Sequence, residues 1–123
     1  MPHTNKKKKT CVFCEIASRR LSNREPLGYI RNEIIFEPLN PVVEGHLLVV
    51  PREHITDASE SPLITARVMK TAARYIKENP KNGWNIITSI GENATQSVFH
   101  LHIHLIPRKK GDGLKLPWTG QKK

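Results

Sequence analysis

A single domain that mixes several strands with one long helix is the fold class predicted by this 123-residue sequence, and three observations carry that prediction. From Val98 to Ile106, Phe99, Leu101, Ile103 and Leu105 alternate with His100, His102, His104 and Ile106, the period of two that sends successive side chains to opposite faces of a strand. The run His46 to Val50 is apolar after its first residue and ends at Pro51, as expected of a central strand. Between the two, Ser61 and Pro62 mark a helix start, and Leu63, Val68, Ala72, Tyr75 and Ile76 can share one helical face. A hydrophobic content of 37% suffices for one core at this length without disulfide staples.

Taken in order along the chain, residues 1 to 10 lack periodicity and contain the uninterrupted run Lys6 to Lys9, so they read as a disordered basic leader; His3 within it is assigned no role. The ordered domain is expected over residues 11 to 108, with 109 to 123 as a C-terminal tail. Cys14 to Arg20 fits a short helix. Tyr29 with Ile30, and Ile34 to Phe36, flank the turn-like Arg31, Asn32 and Glu33 as a tight hairpin. Asn40 with Pro41 and Glu44 with Gly45 bound a turn before the His46 to Val50 strand. The long helix should stop near Asn79, because Pro80 cannot continue it. Trp84 to Ile90 reads as a strand with Ile86, Thr88 and Ile90 on one side and Asn85, Ile87 and Ser89 on the other, followed by a polar loop from Gly91 to Thr95. In the tail, Gly111 to Gly113 must turn, and Trp118 is expected to pack on a surface rather than close over a pocket.

Twenty basic against eleven acidic residues give a formal charge of +9, which draws phosphate-bearing ligands without specifying one. Much of the excess sits in Lys6 to Lys9 and in Lys109, Lys110, Lys122 and Lys123, and the first run is expected to be a solvated tail rather than a nucleic-acid contact. No apolar stretch approaches the ~20 residues that span a bilayer, and no apolar segment follows the lysines as in a secretion signal. A cytoplasmic protein with no membrane partner is therefore expected. The two cysteines, Cys11 and Cys14, stand as C-x-x-C, and in a reducing compartment they are a metal pair, a redox pair or simply two thiols.

On a strand, His100, His102 and His104 form one imidazole row while Leu101, Ile103 and Leu105 enter the core behind it. Such a row serves either metal ligation or chemistry at phosphorus. A neutral imidazole is a good nucleophile near pH 7 and can attack a phosphoryl centre to give a phosphoramidate that water later cleaves. His104 is placed to orient the ring of His102 or to bind a phosphate oxygen. Gln96 and Ser97, just upstream, can bring an amide and a hydroxyl to the same centre, with Ser97 passing a proton to the leaving group.

The segment Gln96 to Arg108 resembles the histidine-triad, or HIT, family, with its His-apolar-His-apolar-His-apolar-apolar pattern and Gln-Ser lead-in. Cys11 to Ala17 is similar to the family's N-terminal knuckle and Gly45 to Ile55 to its central strand and following turn, so the resemblance covers residues 11 to 108. It implies an α+β fold with an antiparallel five-stranded sheet, one main helix and a short N-terminal helix, often paired as a homodimer by extension of the sheet. It also implies hydrolysis or transfer of a nucleoside monophosphate from phosphoramidates, polyphosphates or sugar nucleotides. In that scheme His102 takes up the nucleotidyl group, His100 and His104 flank it, and Gln96 and Ser97 meet the α-phosphate and leaving group. The zinc-bearing branch implies a structural zinc ion on Cys11, Cys14, His54 and His100, with His46 as the spare ligand, expected instead to pack near the nucleotide pocket.

Three positions depart from the family pattern. Pro38 stands where many members carry the acidic residue that binds the ribose, Ser89 where they carry an asparagine near the phosphate, and Thr95 where glycine precedes Gln-Ser. Ser89 is accordingly a substrate-contact candidate, and side-chain hydroxyls are expected to take over part of the phosphate binding. The leading expectation is a nucleotide hydrolase; the alternatives are a nucleotidyltransferase or phosphorylase, and a dimeric nucleotide-binding module of weak turnover. Action at adenylated nucleic-acid ends, as in aprataxin-like relatives, ranks last, because no second Cys/His cluster offers a DNA-binding finger.

Overall fold

The computed structural model describes residues 11–17, 28–30 and 32–119. The basic leader, residues 18–20 of the expected first helix, the hairpin residue Arg31 and residues 120–123 lie outside that range. The elements are a short helix α1 (Val12–Ala17), strands β1 (Gly28–Ile30), β2 (Glu33–Phe36) and β3 (Leu47–Pro51), helix α2 (Pro62–Glu78), strand β4 (Trp84–Ile87), a 3-10 turn (Glu92–Ala94) and strand β5 (Ile103–Pro107). The strands form one antiparallel sheet in the order β1-β2-β3-β5-β4, an α+β architecture. Four of them, β2 to β5, are described with their side chains, while β1 is a three-residue edge described by its backbone. Helix α1 starts two residues earlier than the Cys14 to Arg20 expectation, because the main-chain N–H of Glu15 already bonds back to Cys11 O.

Both faces of the sheet are covered. Ile35, Leu47, Val49, Leu101, Ile103 and Leu105 pack towards α2 around Val68 and Ala72, whereas Ile34, Phe36, Leu48 and Val50 pack towards α1 around Phe13 and Ile16. Double coverage is why β3 is apolar at every position instead of alternating, and each such side chain contributes roughly 1.5–3 kcal/mol of burial. Helix α2 begins as the sequence predicts: the Ser61 hydroxyl accepts from Ile64 N–H at 3.1 Å and Pro62 occupies the first turn. Its end at Asn79 also matches, and so does its inner face apart from one residue: Val68 and Ala72 are buried and Tyr75 and Ile76 pack against the core, whereas Leu63 is 83% exposed and Ile64 packs there instead.

Position 45 requires glycine. Its φ of +92° lies in the left-handed region, and a Cβ there would come 3.1 Å from the Pro107 ring, so the turn into β3 passes close against the end of β5. A buried ionic link ties α2 to the strand ends: Arg67 pairs with Glu33, which is 2% exposed and also accepts from Thr71 Oγ1 at 2.8 Å. The same guanidinium binds Glu53 bidentately at 2.6 and 2.9 Å, anchoring the loop beyond β3 and holding that carboxylate below its ordinary pKa.

Two strands are shorter than expected. The alternating segment pairs only from Ile103, leaving His100 and His102 ahead of the ladder, and β4 stops at Ile87 instead of Ile90. The reason lies in partners distant in the chain. Leu101 N–H bonds to Ile55 O at 2.7 Å, and the Thr88 hydroxyl donates to His102 O at 2.8 Å, so a loop and a side chain replace the strand partners there. Trp118 is 52% exposed. Among the described residues, no helix is long and apolar enough to cross a membrane.

Candidate active site and metal centre

The side chain of His100 is fully buried and turned towards the two cysteines. Its Nε2 lies 2.9 Å from Pro51 O, an atom that can only accept, so the ring carries its hydrogen on Nε2 and presents the Nδ1 lone pair to the sulfurs. That Nδ1 stands 3.3 Å from Cys11 Sγ and 3.4 Å from Cys14 Sγ, and His54 Nδ1 stands 3.1 Å from Cys14 Sγ. All four ligand atoms fall within 4.8 Å of one another. A tetrahedron built with zinc–sulfur bonds of ~2.3 Å and zinc–nitrogen bonds of ~2.05 Å has sulfur–nitrogen edges of about 3.6 Å. The donor set and its spacing therefore fit a four-coordinate metal. Cys11 and Cys14 reach one point because they stand three positions apart, Cys11 immediately before α1 and Cys14 in its first turn, and the main-chain N–H of Cys14 donates to Cys11 Sγ at 3.3 Å. His46 stands outside this cluster, so it is not the spare ligand.

His102 is half-buried and its Nδ1 lies 2.8 Å from His100 O. Because a carbonyl oxygen only accepts, Nδ1 carries the hydrogen and Nε2 keeps its lone pair. Burial lowers the pKa of this ring, and that of His104 to about 4, so both are neutral at physiological pH. The His104 ring centroid is 5.1 Å from that of His102, and Phe13 meets His102 edge-on at 5.0 Å while also touching Phe36 and His100. Phe13 is a wall of the site that nothing in the C-x-x-C spacing announces. The expected single imidazole row is thus divided, with His100 facing the thiols while His102 and His104 face each other.

The Gln-Ser lead-in divides similarly. Gln96 is 4% exposed; its Oε1 accepts from Gly91 N–H at 2.8 Å, and its Nε2 donates to Thr56 O at 2.7 Å and to Val98 O at 3.1 Å. With both amide hydrogens donated to carbonyls, this side chain ties the loop together where the sequence suggested a contact to substrate. The clasp also holds Thr95 at φ +72°, a left-handed conformation that costs a non-glycine residue roughly 1–2 kcal/mol. Ser97 is left exposed beside it, and Ser89 is half-buried just past β4. Gln96→Ala is expected to lower stability by about 2 kcal/mol, since it strands an N–H and two carbonyls. Urea unfolding measures it, and a loss below about 0.5 kcal/mol would mean that the clasp carries no weight.

Residues 27–111 match the family model for the HIT domain. Protein hit of Bacillus subtilis is 34% identical over 88% of this chain and 78% of its own length. The adenosine 5'-monophosphoramidase of Saccharomyces cerevisiae is 29% identical over 90% of this chain and 71% of its own. A zinc-bound histidine triad family protein from Mycobacterium smegmatis superposes with a TM-score of 0.75 at 32% identity, covering 88% of this chain and 81% of that one. The sequence match, together with His54 and His100 placed beside the two thiols, leads to one assignment: the chain belongs to the HIT-domain family.

Proposed function

We propose that this HIT protein is a nucleotide hydrolase that releases a nucleoside monophosphate from a phosphoramidate or a (di)nucleoside polyphosphate through a nucleotidyl group held on His102. One observation carries the reading: His102 donates through Nδ1 to His100 O, which leaves the Nε2 lone pair of a neutral, half-buried ring available for attack. In the first step Nε2 bonds to the α-phosphorus while the bond to the amine or phosphate leaving group breaks. The leaving group departs with that electron pair and takes a proton from the Ser97 hydroxyl. In the second step water attacks the same phosphorus, the phosphorus–nitrogen bond breaks, and the electron pair returns to Nε2. One proton of the water restores the serine and the other stays with the released phosphate. His104 stabilises charge on the phosphoryl oxygens, Ser89 contacts the substrate, and the surplus of positive charge attracts the anion.

Cys11, Cys14, His54 and His100 are the residues that hold a zinc ion in this reading, and the S₂N₂ donor set and its spacing support it. With all four positions taken by protein, the metal supplies cross-linking and no chemistry. Thiol ligands favour a reducing, cytoplasmic setting. Homodimerisation through the β4 edge is part of the same proposal, supported by the exposure of Ile86 on that strand.

A turnover screen of nucleoside phosphoramidates, dinucleoside polyphosphates and sugar nucleotides, with acid-free trapping of the protein adduct, tests the function. A nucleotidylated protein and free monophosphate are expected. A nucleoside diphosphate formed on adding inorganic phosphate would instead favour a phosphorylase, and tight binding without product would favour a binding module.

A further inference from the structure

His102 lies just beyond the paired part of the sheet. The β3–β5 ladder ends at Val49 and Ile103 and the β4–β5 ladder at Ile87 and His104, so neither ladder reaches residues 100 to 102. Three bonds from three other places hold that segment instead. The His100 ring donates from Nε2 to Pro51 O at 2.9 Å, Leu101 N–H donates to Ile55 O at 2.7 Å, and the Thr88 hydroxyl donates to His102 O at 2.8 Å. The first two come from β3 and the loop that follows it, and only the third comes from the β4 side of β5.

That third bond differs in kind from a ladder bond. Continued by two positions, the β4–β5 register would set Ser89 opposite His102. The chain leaves that register after Ile87, and the side chain of the next residue takes up the carbonyl oxygen. Threonine suits the task, because branching at Cβ restricts χ1 and aims the hydroxyl with little loss of rotamer freedom. The direction of the His102 ring depends on the same short segment. Its Nδ1 donates to His100 O at 2.8 Å, so both the Cα that carries the ring and the oxygen that orients it move with residues 100 to 102. Phe13 and His104 restrain the ring by packing alone.

We propose that Thr88 is a positioning residue for His102: its hydroxyl, bonded to His102 O, fixes the main chain that carries the ring and thereby the line along which Nε2 meets phosphorus. A nucleophile must stand within ~3–3.5 Å of its target and in line with the bond that breaks, so a small displacement has a large effect on rate. The bond also lets β4 part from β5 without leaving that carbonyl unpaired, which allows the nucleophile to stand outside the ladder. The kinetic consequence rests on the nucleotidyl-transfer reading above, whereas the orientation of the ring does not.

The test uses the full-length, metal-loaded protein in three forms: wild type, Thr88→Val, which keeps the shape and removes the donor, and Thr88→Ser, which keeps the donor. Nitrogen-15 NMR of the imidazole rings reads where His102 carries its hydrogen. Wild type and Thr88→Ser are expected to show one Nδ1–H tautomer. Thr88→Val should show a mixture with the Nε2–H form, because His100 O no longer stays aligned with Nδ1. With an active substrate, kcat should fall on the order of 10-fold in Thr88→Val and recover to within about twofold in Thr88→Ser, with KM within about twofold throughout. A folded Thr88→Val that keeps a single Nδ1–H tautomer and the wild-type kcat, with only a lower melting temperature, overturns the proposal. So does a loss of kcat in Thr88→Ser equal to that in Thr88→Val. If wild type turns over no substrate, the hydrolase reading fails and the tautomer alone decides the role of Thr88.

Discussion

Replacing His102 by asparagine is expected to reduce turnover by at least ~10⁴-fold and to abolish the trapped nucleotidyl adduct, while leaving the fold in place. Asparagine is the informative choice because its side-chain N–H can still donate to His100 O, the bond His102 makes at 2.8 Å, so the segment ahead of β5 keeps its anchor. What disappears is the second nitrogen. The neighbours of that ring do not replace it: Phe13 packs on it edge-to-face, the Thr88 hydroxyl is bonded to its main-chain oxygen, and the adjacent His104 ring has its Nδ1 engaged with His46. Steady-state kinetics and intact-protein mass spectrometry check the outcome, with melting temperature as the control. A rate within about tenfold of wild type on an active substrate would remove His102 from the mechanism.

The second large effect concerns the metal centre. Cys14→Ala should abolish stoichiometric zinc binding and lower the melting temperature by roughly 15 °C, and chelation of the wild type should produce the same shift. The magnitude follows from linkage: a ligand present at a thousand times its dissociation constant stabilises the folded state by about 4 kcal/mol. For a domain of this size each kcal/mol moves the midpoint by roughly 3–6 °C. The geometry adds a reason to expect a loss of that size, because the cluster joins α1, the loop after β3 and the residues before β5, which no disulfide connects among the described residues. Elemental analysis and calorimetry decide it; equal melting points before and after complete demetallation would show that the four residues hold together unaided.

What was legible in the sequence is what local pattern controls. The cap at Ser61, the stop at Pro80, the apolar β3 and the apolar face behind the histidines all follow from residues within a few positions of one another. The family motif located the cysteine and histidine cluster because both its halves have fixed spacing. The misreadings share a physical cause, namely partners far away in the chain. Alternation alone extends the strand back to Val98, but Leu101 takes its hydrogen bond from a loop 46 residues earlier, at Ile55 O, and His102 from the Thr88 hydroxyl. The expected contact of Gln96 with substrate is a separate matter, but only the fold reveals that its side chain is bonded to Thr56, Gly91 and Val98. The link between His46 and His104 spans 58 positions, beyond any local pattern.

His100 serves both centres by different atoms. Its ring belongs to the thiols, whereas the atom that orients His102 is a main-chain oxygen present in every amino acid. Substitution at position 100 can therefore strip the cluster of an imidazole yet preserve the acceptor on which its neighbour depends, which makes the two functions genetically separable at a single codon.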